Sequence, residues 1–183
     1  LNEQINRMVN GLIKIITGIR RCGKSYLLNI IFENYLLQQK IDKEHIIKLS
    51  LDERKNKKYL DPDELDKYIR SLIIDNKKYY LLLDEIQEVK EFESVLIGFM
   101  HLNNVDIYVT GSNSKFLSSD IITEFRGRGD EIRVYPLSFS EFFSVYDGLE
   151  EKALNEYYTY GGLPLTLLSK TDNARINYLR TQK

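Results

Sequence analysis

The segment from Gly18 to Ser25 has the residue types and the spacing needed to bind phosphate. Its sequence, GIRRCGKS, matches the pattern G-x-x-x-x-G-K-[ST] in full. Gly18 and Gly23 allow a tight turn in which successive backbone N–H groups converge on the β-phosphate of a nucleotide. Lys24 adds a mobile positive charge for the β- and γ-phosphates, and the Ser25 hydroxyl can ligate Mg²⁺. The segment therefore predicts a nucleotide-binding loop.

The elements on either side of this loop have the patterns that such a loop requires. Residues 12–16 form a short apolar run, which is typical of a buried strand. Residues 24–39 carry apolar side chains at helical spacing along one broad face. A chance glycine turn is the alternative, but the preceding strand and the following helix favour phosphate binding.

The variable positions of the loop are less constrained by chemistry. Arg20 and Arg21 either reach phosphates or a neighbouring acidic group, or they face solvent, and the sequence leaves both readings open. Cys22 is interpreted as a space-filling residue, although a thiolate beside a helix N-terminus is unusually reactive. We predict nucleotide contacts from the loop and the residue after it: Gly18, Ile19, Arg20, Arg21, Cys22, Gly23, Lys24, Ser25 and Tyr26.

A pair of acidic residues, Asp84 and Glu85, follows the apolar run 79–83. A carboxylate at the end of a buried strand has the form of a Walker B site, so Asp84 is predicted to hold Mg²⁺ beside Ser25, directly or through water. Glu85 is predicted to orient and polarise the water that attacks the γ-phosphate. An acidic turn after a core strand is common by itself, but the phosphate loop upstream favours the metal site.

Polar residues also follow the next strand along the chain. The run 105–110 predicts a strand, and Ser112 and Asn113 come shortly after it. If this strand lies between the loop strand and the acidic strand, its polar end lies near the γ-phosphate. Ser112 and Asn113 are therefore candidates for sensing the nucleotide. The alternative is a polar turn that caps the next helix.

Strand and helix patterns alternate through most of the chain. Further elements are predicted as a strand at 45–51, a helix beginning at Asp61 and Pro62, a helix around 92–99, a short helix at 119–125 and a strand at 131–135. The alternation predicts an α/β fold, a three-layer P-loop NTPase with a parallel sheet of about five strands. Helical patterns dominate after Pro136, where Ser138 and Glu141 form a capping box. We therefore predict a core at 1–137 and the start of a helical lid at 138–183.

The composition is that of an ordinary globular protein. Of 183 residues, 43% are hydrophobic and 29% charged, and 26 basic residues against 27 acidic ones give a net charge of -1. This balance provides no basic field, so nucleic acid is not indicated as a partner but stays open. The single cysteine allows no intrachain disulfide and fits a reducing compartment. Apolar runs fall short of the ~20 residues that span a bilayer, so we predict a cytoplasmic protein without a membrane partner.

Four segments together resemble the predicted AAA-domain ATPases of prokaryotes. They are TGIRRCGKS at 17–25, LDEIQ at 83–87, TGSNS at 110–114 and PLSF at 136–139. The strand and helix between the loop and the acidic pair resemble the additional-strand, catalytic-glutamate division of P-loop NTPases. The resemblance implies ATP/ADP and Mg²⁺ as ligands, a sensor 1 role for Ser112 or Asn113, and a C-terminal domain after the ATPase core.

Two further segments match family motifs. The AAA-domain ATPases that the chain resembles typically have a Gly-Arg pair before the last core strand. The pair ending at Arg128 matches it and implies an arginine finger or sensor on the γ-phosphate, from the same chain or a neighbour. Arg126 leaves that assignment open, and a surface arginine without a role is the alternative. The segment GGLPL at 161–165 resembles a lid motif of signalling NTPases with numerous domains, whose proline lies against the nucleotide base. The alternative is a helix end at Gly161 and a helix start at Pro164.

The predicted function is Mg²⁺-dependent ATP hydrolysis. The predicted catalytic residues are Glu85, Lys24, Asn113 and Arg128. The predicted metal ligands are Ser25 and Asp84. The alternative is a slowly hydrolysing, nucleotide-loaded switch or scaffold, while a small-molecule kinase is disfavoured by the acidic pair and the intervening strand. The chain begins at Leu1 and stops in a helix-compatible run, so we expect a longer chain. Its C-terminal domain is the predicted partner, with a homo-oligomer or a partner protein left open.

Overall fold

Five strands form an all-parallel sheet in the order β2-β3-β4-β1-β5. They are β1 Ile13–Thr17, β2 Ile46–Ser50, β3 Tyr79–Asp84, β4 Val105–Thr110 and β5 Gly129–Arg133. The structure is a computed structural model that describes residues 8–111, 125, 127–169 and 171–180. The prediction of an α/β fold with about five parallel strands is confirmed, including the position of β4 between β1 and β3.

Helix α1 occupies residues 24–38 and has three consecutive stretches: α-helical Lys24–Tyr26, π-helical Leu27–Phe32 and α-helical Glu33–Gln38. The other helices are α2 Pro62–Leu72, α3 Phe92–Met100, α4 Phe139–Ser144, α5 Glu150–Tyr160, α6 Pro164–Leu168 and α7 Asp172–Arg180. Short 3₁₀ segments are Lys43–His45, Arg54–Leu60 and Ile86–Glu88. The helix predicted at 119–125 lies outside the described residues, apart from Phe125. Within the described ranges, no helix combines the length and the apolar character needed to cross a membrane.

The chain forms two compact units. The first comprises the described residues of Leu1–Thr17 together with Lys24–Arg133, and it contains the sheet and helices α1 to α3. The second comprises Gly18–Gly23 together with the described residues of Val134–Lys183, and it contains α4 to α7. The sequence-based prediction assigned the phosphate loop to the core, whereas residues 18–23 belong to the second unit of the structure.

Burial on both faces explains the apolar runs that predicted the central strands. On one face, Ile15, Leu81 and Val109 belong to a cluster that also contains apolar residues of α2 and α3. Alternate residues of a strand point to the opposite face. There the ring of Tyr108 lies 4.5 Å from the ring of Phe32 on α1. Helices therefore cover both faces of the sheet, which gives three layers.

A buried ion pair interrupts the apolar pattern of β1. Lys14 is fully buried, and its ammonium contacts the Asp106 carboxylate of β4 and the Leu12 carbonyl oxygen. The Tyr108 hydroxyl donates to the second oxygen of Asp106 at 3.0 Å. Burial lowers the pKa of Lys14, while the hydrogen bond and the charge of Asp106 oppose that shift. Because an unpaired buried charge is costly, the pair favours the β1–β4 register in which Lys14 faces Tyr108.

Strand β5 begins at Gly129, two residues before the predicted start at 131. It lies at the end of the strand order and pairs with β1. Ile132 is the buried residue of this strand, and the others are partly or fully exposed. An edge strand tolerates polar side chains, so its first residues carry no apolar signal.

A capping box and aromatic contacts organise the start of the second unit. Ser138 is the N-cap of α4: its hydroxyl accepts the Glu141 N–H at 3.3 Å, and its own N–H donates to the Glu141 carboxylate at 2.8 Å. The predicted capping box is confirmed. The ring of Phe142 meets that of Tyr157 on α5 at 5.4 Å, and the Tyr157 hydroxyl donates to the Leu137 carbonyl at 2.9 Å.

Arg175 joins the three helices that end the described chain. From α7, its Nε donates to the carbonyls of Thr166 and Ser169 at 3.0 and 3.1 Å. Its guanidinium also pairs with Glu156 of α5 at 2.9 Å and lies over the ring of Tyr160. These contacts hold α5, α6 and α7 together.

Candidate functional site

The predicted phosphate loop follows β1 and leads directly into α1. Gly18 and Gly23 have φ angles of 147° and 103°, in the region that favours glycine. A Cβ added at Gly18 would lie 2.3 Å from the Val134 carbonyl oxygen and 2.8 Å from the Cys22 sulfur. No side chain fits there, because the Val134 backbone lies too close, so this position requires glycine. Cys22 is buried against the same turn.

Arg21 has an unusual backbone conformation within this loop. Its φ of 65° is left-handed, which costs a residue with a side chain roughly 1–2 kcal/mol. Its guanidinium lies 4.9 Å from the ring centroid of Tyr178 on α7. Such a cation–π contact contributes about 0.5–2 kcal/mol and offsets part of the backbone cost. Arg21 thus contacts the C-terminal helix, whereas Arg20 and Ile19 are exposed.

Helix α1 brings its first residues to the end of β3. Lys24 is 4% exposed, whereas Tyr26 is 62% exposed. The Ser25 hydroxyl donates to Oδ1 of Asp84 at 3.0 Å. The structure therefore brings the two predicted metal ligands, Ser25 and Asp84, into direct contact.

Asp84 accepts hydrogen bonds from side chains of two other elements. The hydroxyls of Ser25 on α1 and Thr110 on β4 both donate to Oδ1, and the Asn29 amide donates to Oδ2 at 3.0 Å. Burial raises the pKa of Asp84, the two hydroxyl hydrogen bonds lower it, and the charge of nearby Glu85 adds to the increase. A divalent cation at this carboxylate would favour its charged form.

Glu85 turns the chain away from β3. Its φ of 54° is left-handed, and it precedes the 3₁₀ segment Ile86–Glu88. Its N–H donates to the Thr110 hydroxyl at 3.0 Å, and its carboxylate accepts a hydrogen bond from the Gln87 amide. Left-handed residues other than glycine concentrate at functional sites. Thr110 therefore holds both acidic residues, since its hydroxyl donates to Asp84 and accepts from Glu85.

The family model described as AAA domain matches residues 10–143 of this chain. The matched residues include the loop, both acidic residues and the five strands of the sheet. The chain belongs to the AAA domain family. This AAA domain is also similar to other proteins, to some in sequence and to others in fold.

Two relatives share substantial sequence identity with this AAA domain. An uncharacterized protein of Haemophilus influenzae is 36% identical over 175 residues, which cover 92% of this chain and 44% of that protein. An uncharacterized protein of Methanocaldococcus jannaschii is 33% identical in an alignment 198 residues long, gaps included, which covers 98% of this chain and 42% of that protein. The chain thus spans less than half the length of these relatives.

Solved structures of low sequence identity share the fold. AMPPCP-bound DnaA from Aquifex aeolicus matches with a TM-score of 0.59 and 15% identity, over 98% of this chain and 58% of that chain. Hsp104 of S. cerevisiae, in its complex with casein, matches with a TM-score of 0.61 and 12% identity, over 100% of this chain and 37% of that chain. At these identities the likeness concerns the fold of the AAA domain.

Of the remaining predicted catalytic residues, Arg128 is the one that lies within the described ranges. Ser112, Asn113 and Arg126 lie outside the described residues. Arg128 is exposed and precedes β5, and its carbonyl accepts the N–H of Ile13 at the start of β1. Parallel strands begin at the edge of the sheet opposite to the one where β3 ends. The arrangement does not bring Arg128 to Asp84 within one chain, so a finger from the same chain is not supported and one from a neighbour stays a prediction.

The GGLPL segment lies beside the phosphate loop within the second unit. Gly161 ends α5 and Pro164 begins α6, as the helix-boundary interpretation predicts. A Cβ added at Gly23 would lie 4.0 Å from Cγ of Pro164, an ordinary contact distance. The segment is therefore both a helix boundary and a neighbour of the loop.

Sequence reasoning assigned no role to four residues that make the contacts described above: Asn29, Gln87, Thr110 and Tyr178. Asn29 lies four residues after Ser25 on the same helix, and Gln87 lies two residues after the acidic pair, so their spacing offered a signal. Thr110 ends the strand whose polar continuation was noted. Tyr178 offered no local signal, because its contact with the loop joins distant parts of the chain.

Proposed function

We propose that this AAA domain binds ATP together with Mg²⁺ and hydrolyses it to ADP and phosphate. One observation carries the proposal: the Ser25 hydroxyl and the Asp84 carboxylate lie 3.0 Å apart. Ser25 follows directly after a loop that requires glycine at Gly18. A hydroxyl and a carboxylate in this relation are the protein ligands by which P-loop NTPases hold the Mg²⁺ of a bound nucleotide.

The donor atoms around Asp84 fit Mg²⁺. Ser25, Thr110 and Asp84 contribute hydroxyl and carboxylate oxygens, and the amide oxygen of Asn29 is inaccessible to solvent without a hydrogen-bond partner among the described residues. Mg²⁺ prefers oxygen ligands of this kind and usually keeps several waters. Ser25 and Asp84 would hold the ion, directly or through water. When bound, the ion supplies positive charge that neutralises the phosphate oxygens.

The other site residues have separate parts in the proposed reaction. The loop N–H groups and Lys24 bind the phosphates of ATP. Glu85 orients a water molecule and accepts its proton as the oxygen of that water bonds to the γ-phosphorus and the bond to the ADP oxygen breaks. Gln87 supports this role because its amide holds the Glu85 carboxylate at the end of β3. In this proposal, Asn113 senses the γ-phosphate, and Arg128 of a neighbouring chain acts on the γ-phosphate as an arginine finger.

Replacing Glu85 by glutamine tests the proposed hydrolysis. Glu85→Gln keeps the side-chain size but removes the proton acceptor, so we expect phosphate release to fall roughly 100-fold or more. ATP affinity, measured by calorimetry, should stay within about threefold of the wild type because the phosphate ligands are unchanged. Glu88→Gln, an exposed residue of the same 3₁₀ segment, is the matched control and should preserve turnover. Undiminished phosphate release from Glu85→Gln would remove Glu85 from the mechanism.

A substitution at Lys24 tests nucleotide binding separately. Lys24→Ala removes the positive charge for the phosphates, so ATP affinity should be lost. Lys67→Ala, an exposed residue on α2, should bind ATP like the wild type. Equal ATP affinity in Lys24→Ala and the wild type would overturn the proposed function.

A second candidate function is a nucleotide-loaded switch that hydrolyses slowly. It is favoured by the contact of Arg21 with Tyr178 and by the position of Pro164 near Gly23, because the loop then packs with the C-terminal helices. A change at the phosphates could reach those helices through the loop. Denaturing the purified protein and identifying any released nucleotide separates the candidates. Stoichiometric, slowly exchanging ADP supports the switch, and steady turnover supports the hydrolase.

The proposed partners follow from length and site geometry. A C-terminal domain of a longer chain is supported by the relatives, of which this chain covers 44% and 42%. A homo-oligomer is part of the proposal because Arg128 would act as a finger only on a neighbouring chain. The net charge of -1 favours no nucleic acid partner. A cytoplasmic location is proposed from the single cysteine.

A further inference from the structure

Asn29 lies in the π-helical stretch of α1 and holds one oxygen of Asp84. Its Nδ2 donates to Oδ2 of Asp84 at 3.0 Å. Ser25, four residues earlier, donates to Oδ1 at the same distance of 3.0 Å. Residues four apart lie on the same side of a helix. Helix α1 therefore holds both oxygens of the proposed metal ligand.

The other end of the Asn29 side chain has no partner in the described part of the chain. Its Oδ1 is inaccessible to solvent and forms no hydrogen bond there. A carboxylate only accepts hydrogen bonds, so the amide nitrogen must face Asp84 and the amide oxygen must face away from it. Because a buried acceptor without a donor is unfavourable, such atoms are rare, and buried polar groups are normally satisfied by protein or by bound water.

The backbone around Asn29 is fixed as well. The stretch Leu27–Phe32 is π-helical, a conformation that is rare and frequent at functional sites. Lys48 of β2 donates to the Asn29 carbonyl at 3.3 Å and also pairs with Glu33. Asn29 is thus held by its main chain to β2 and by its side chain to β3.

We propose that Asn29 is a positioning residue of the Mg²⁺ site, in which Nδ2 orients Asp84 and Oδ1 accepts a hydrogen bond from water that accompanies the ion. The inference rests on the proposed function, because it requires an ion at Ser25 and Asp84. Water is a suitable donor, since Mg²⁺ in proteins retains several water molecules. Residues that orient metal ligands in this way alter metal affinity by roughly 10- to 100-fold.

Calorimetric titration of ADP, at several Mg²⁺ concentrations and in EDTA, tests this inference on the purified protein. Asn29→Ala should raise the Mg²⁺ concentration needed for half-maximal strengthening of ADP binding by roughly 10- to 100-fold. ADP affinity in EDTA should stay at the wild-type level, because the phosphate loop is unchanged. Ile30→Ala is the matched control, since Ile30 belongs to the same π-helical stretch and is 44% exposed. It should behave like the wild type in both conditions.

A second variant at the same position keeps the inference testable if Asn29→Ala does not fold. Asn29→Leu nearly preserves the side-chain volume but can neither donate to Asp84 nor accept from water. It should show the same loss of Mg²⁺ dependence, with thermal unfolding as the check on folding. Wild-type Mg²⁺ dependence in either folded variant would overturn the role of Asn29 and leave the proposed function standing. An equal loss of ADP affinity with Mg²⁺ and with EDTA would also overturn it, because a structural defect has that signature. No ADP binding by the wild-type protein would defeat the proposed function itself.

Discussion

A single hydroxyl, that of Thr110, connects the two acidic residues of the candidate site. Thr110 is fully buried at the end of β4, where it donates to Asp84 and accepts the N–H of Glu85 at 3.0 Å. The left-handed backbone of Glu85 is sparsely populated and persists because neighbouring contacts determine it. The hydrogen bond to Thr110 is one such contact, so this residue supports the Asp84 carboxylate directly and Glu85 through its backbone.

Replacing Thr110 by valine tests this role at the scale of one residue. Thr110→Val keeps the side-chain shape but leaves the Glu85 N–H without this acceptor. We expect the free energy of unfolding, measured in urea, to fall by about 1–3 kcal/mol. Phosphate release should fall more than ATP affinity, since the acidic pair loses its common support. Thr110→Ser retains the hydroxyl and should keep most of the hydrolysis. Equal phosphate release from the valine and serine variants would contradict the role of the hydroxyl.

At the scale of elements, strands were predicted best from the sequence where both of their faces are buried. Strands β3 and β4 are buried on both faces, so their sequences are mostly apolar. Strand β5 lies at an edge with Ile132 as its buried residue, so its start was predicted two residues late. The π-helical stretch of α1 was not predicted, because its apolar spacing also fits an ordinary α-helix.

The candidate site was predictable in the same partial way. Lys24 and Asp84 were predicted as site residues because their local spacing, beside glycines or after a strand, is typical of phosphate and Mg²⁺ binding. Asn29 and Thr110 were not, because their contacts with Asp84 depend on how α1 packs on the sheet and on the register of β3 with β4. Neither the packing of α1 on the sheet nor the register of β3 with β4 can be derived from a local sequence pattern.

Helix α4 offers a test of an element whose start was predicted in detail. The hydrogen bonds from Ser138 lower the pKa of Glu141 below its ordinary value of 4.5. Because the folded-state pKa is the lower one, this stabilisation is present above pH 4.5 and is lost as the pH falls through the folded-state value. Ser138→Ala removes the hydroxyl that accepts the Glu141 N–H and donates to the Glu141 carboxylate, so it should cost about 1 kcal/mol of unfolding free energy at pH 7. The part of this difference that comes from the bond to the carboxylate should be lost in urea unfolding as the pH falls below 4.5.

The control for this prediction is Ser140→Ala, an exposed substitution within the same helix. It should leave the pH dependence of unfolding unchanged, because Ser140 does not cap the helix. A destabilisation by Ser138→Ala that stays constant from pH 7 to pH 3 would show that the hydrogen bond from the Ser138 hydroxyl to the Glu141 carboxylate does not contribute through the charge of Glu141.

At the scale of the whole molecule, the phosphate loop packs with the C-terminal segment. Gly18 lies against Val134, Gly23 lies near Pro164, and Arg21 lies over the ring of Tyr178. These contacts explain why residues 18–23 group with the second unit rather than with the strand and the helix that flank them. Nucleotide binding and the arrangement of the C-terminal helices are therefore expected to depend on each other.

Tyr178→Leu tests this dependence from the far end of the chain. Arg21 has a left-handed backbone, and the cation–π contact with Tyr178 helps to keep the loop in that conformation. Losing about 0.5–2 kcal/mol of that contact should raise the Kd for ATP about 2- to 30-fold, because part of the binding energy must then order the loop. Tyr158→Leu, on α5 and 81% exposed, is the control and should bind ATP like the wild type. Tighter ATP binding by Tyr178→Leu would contradict this account, because it would mean that Tyr178 keeps Arg21 from the phosphates instead of preparing the loop to receive them.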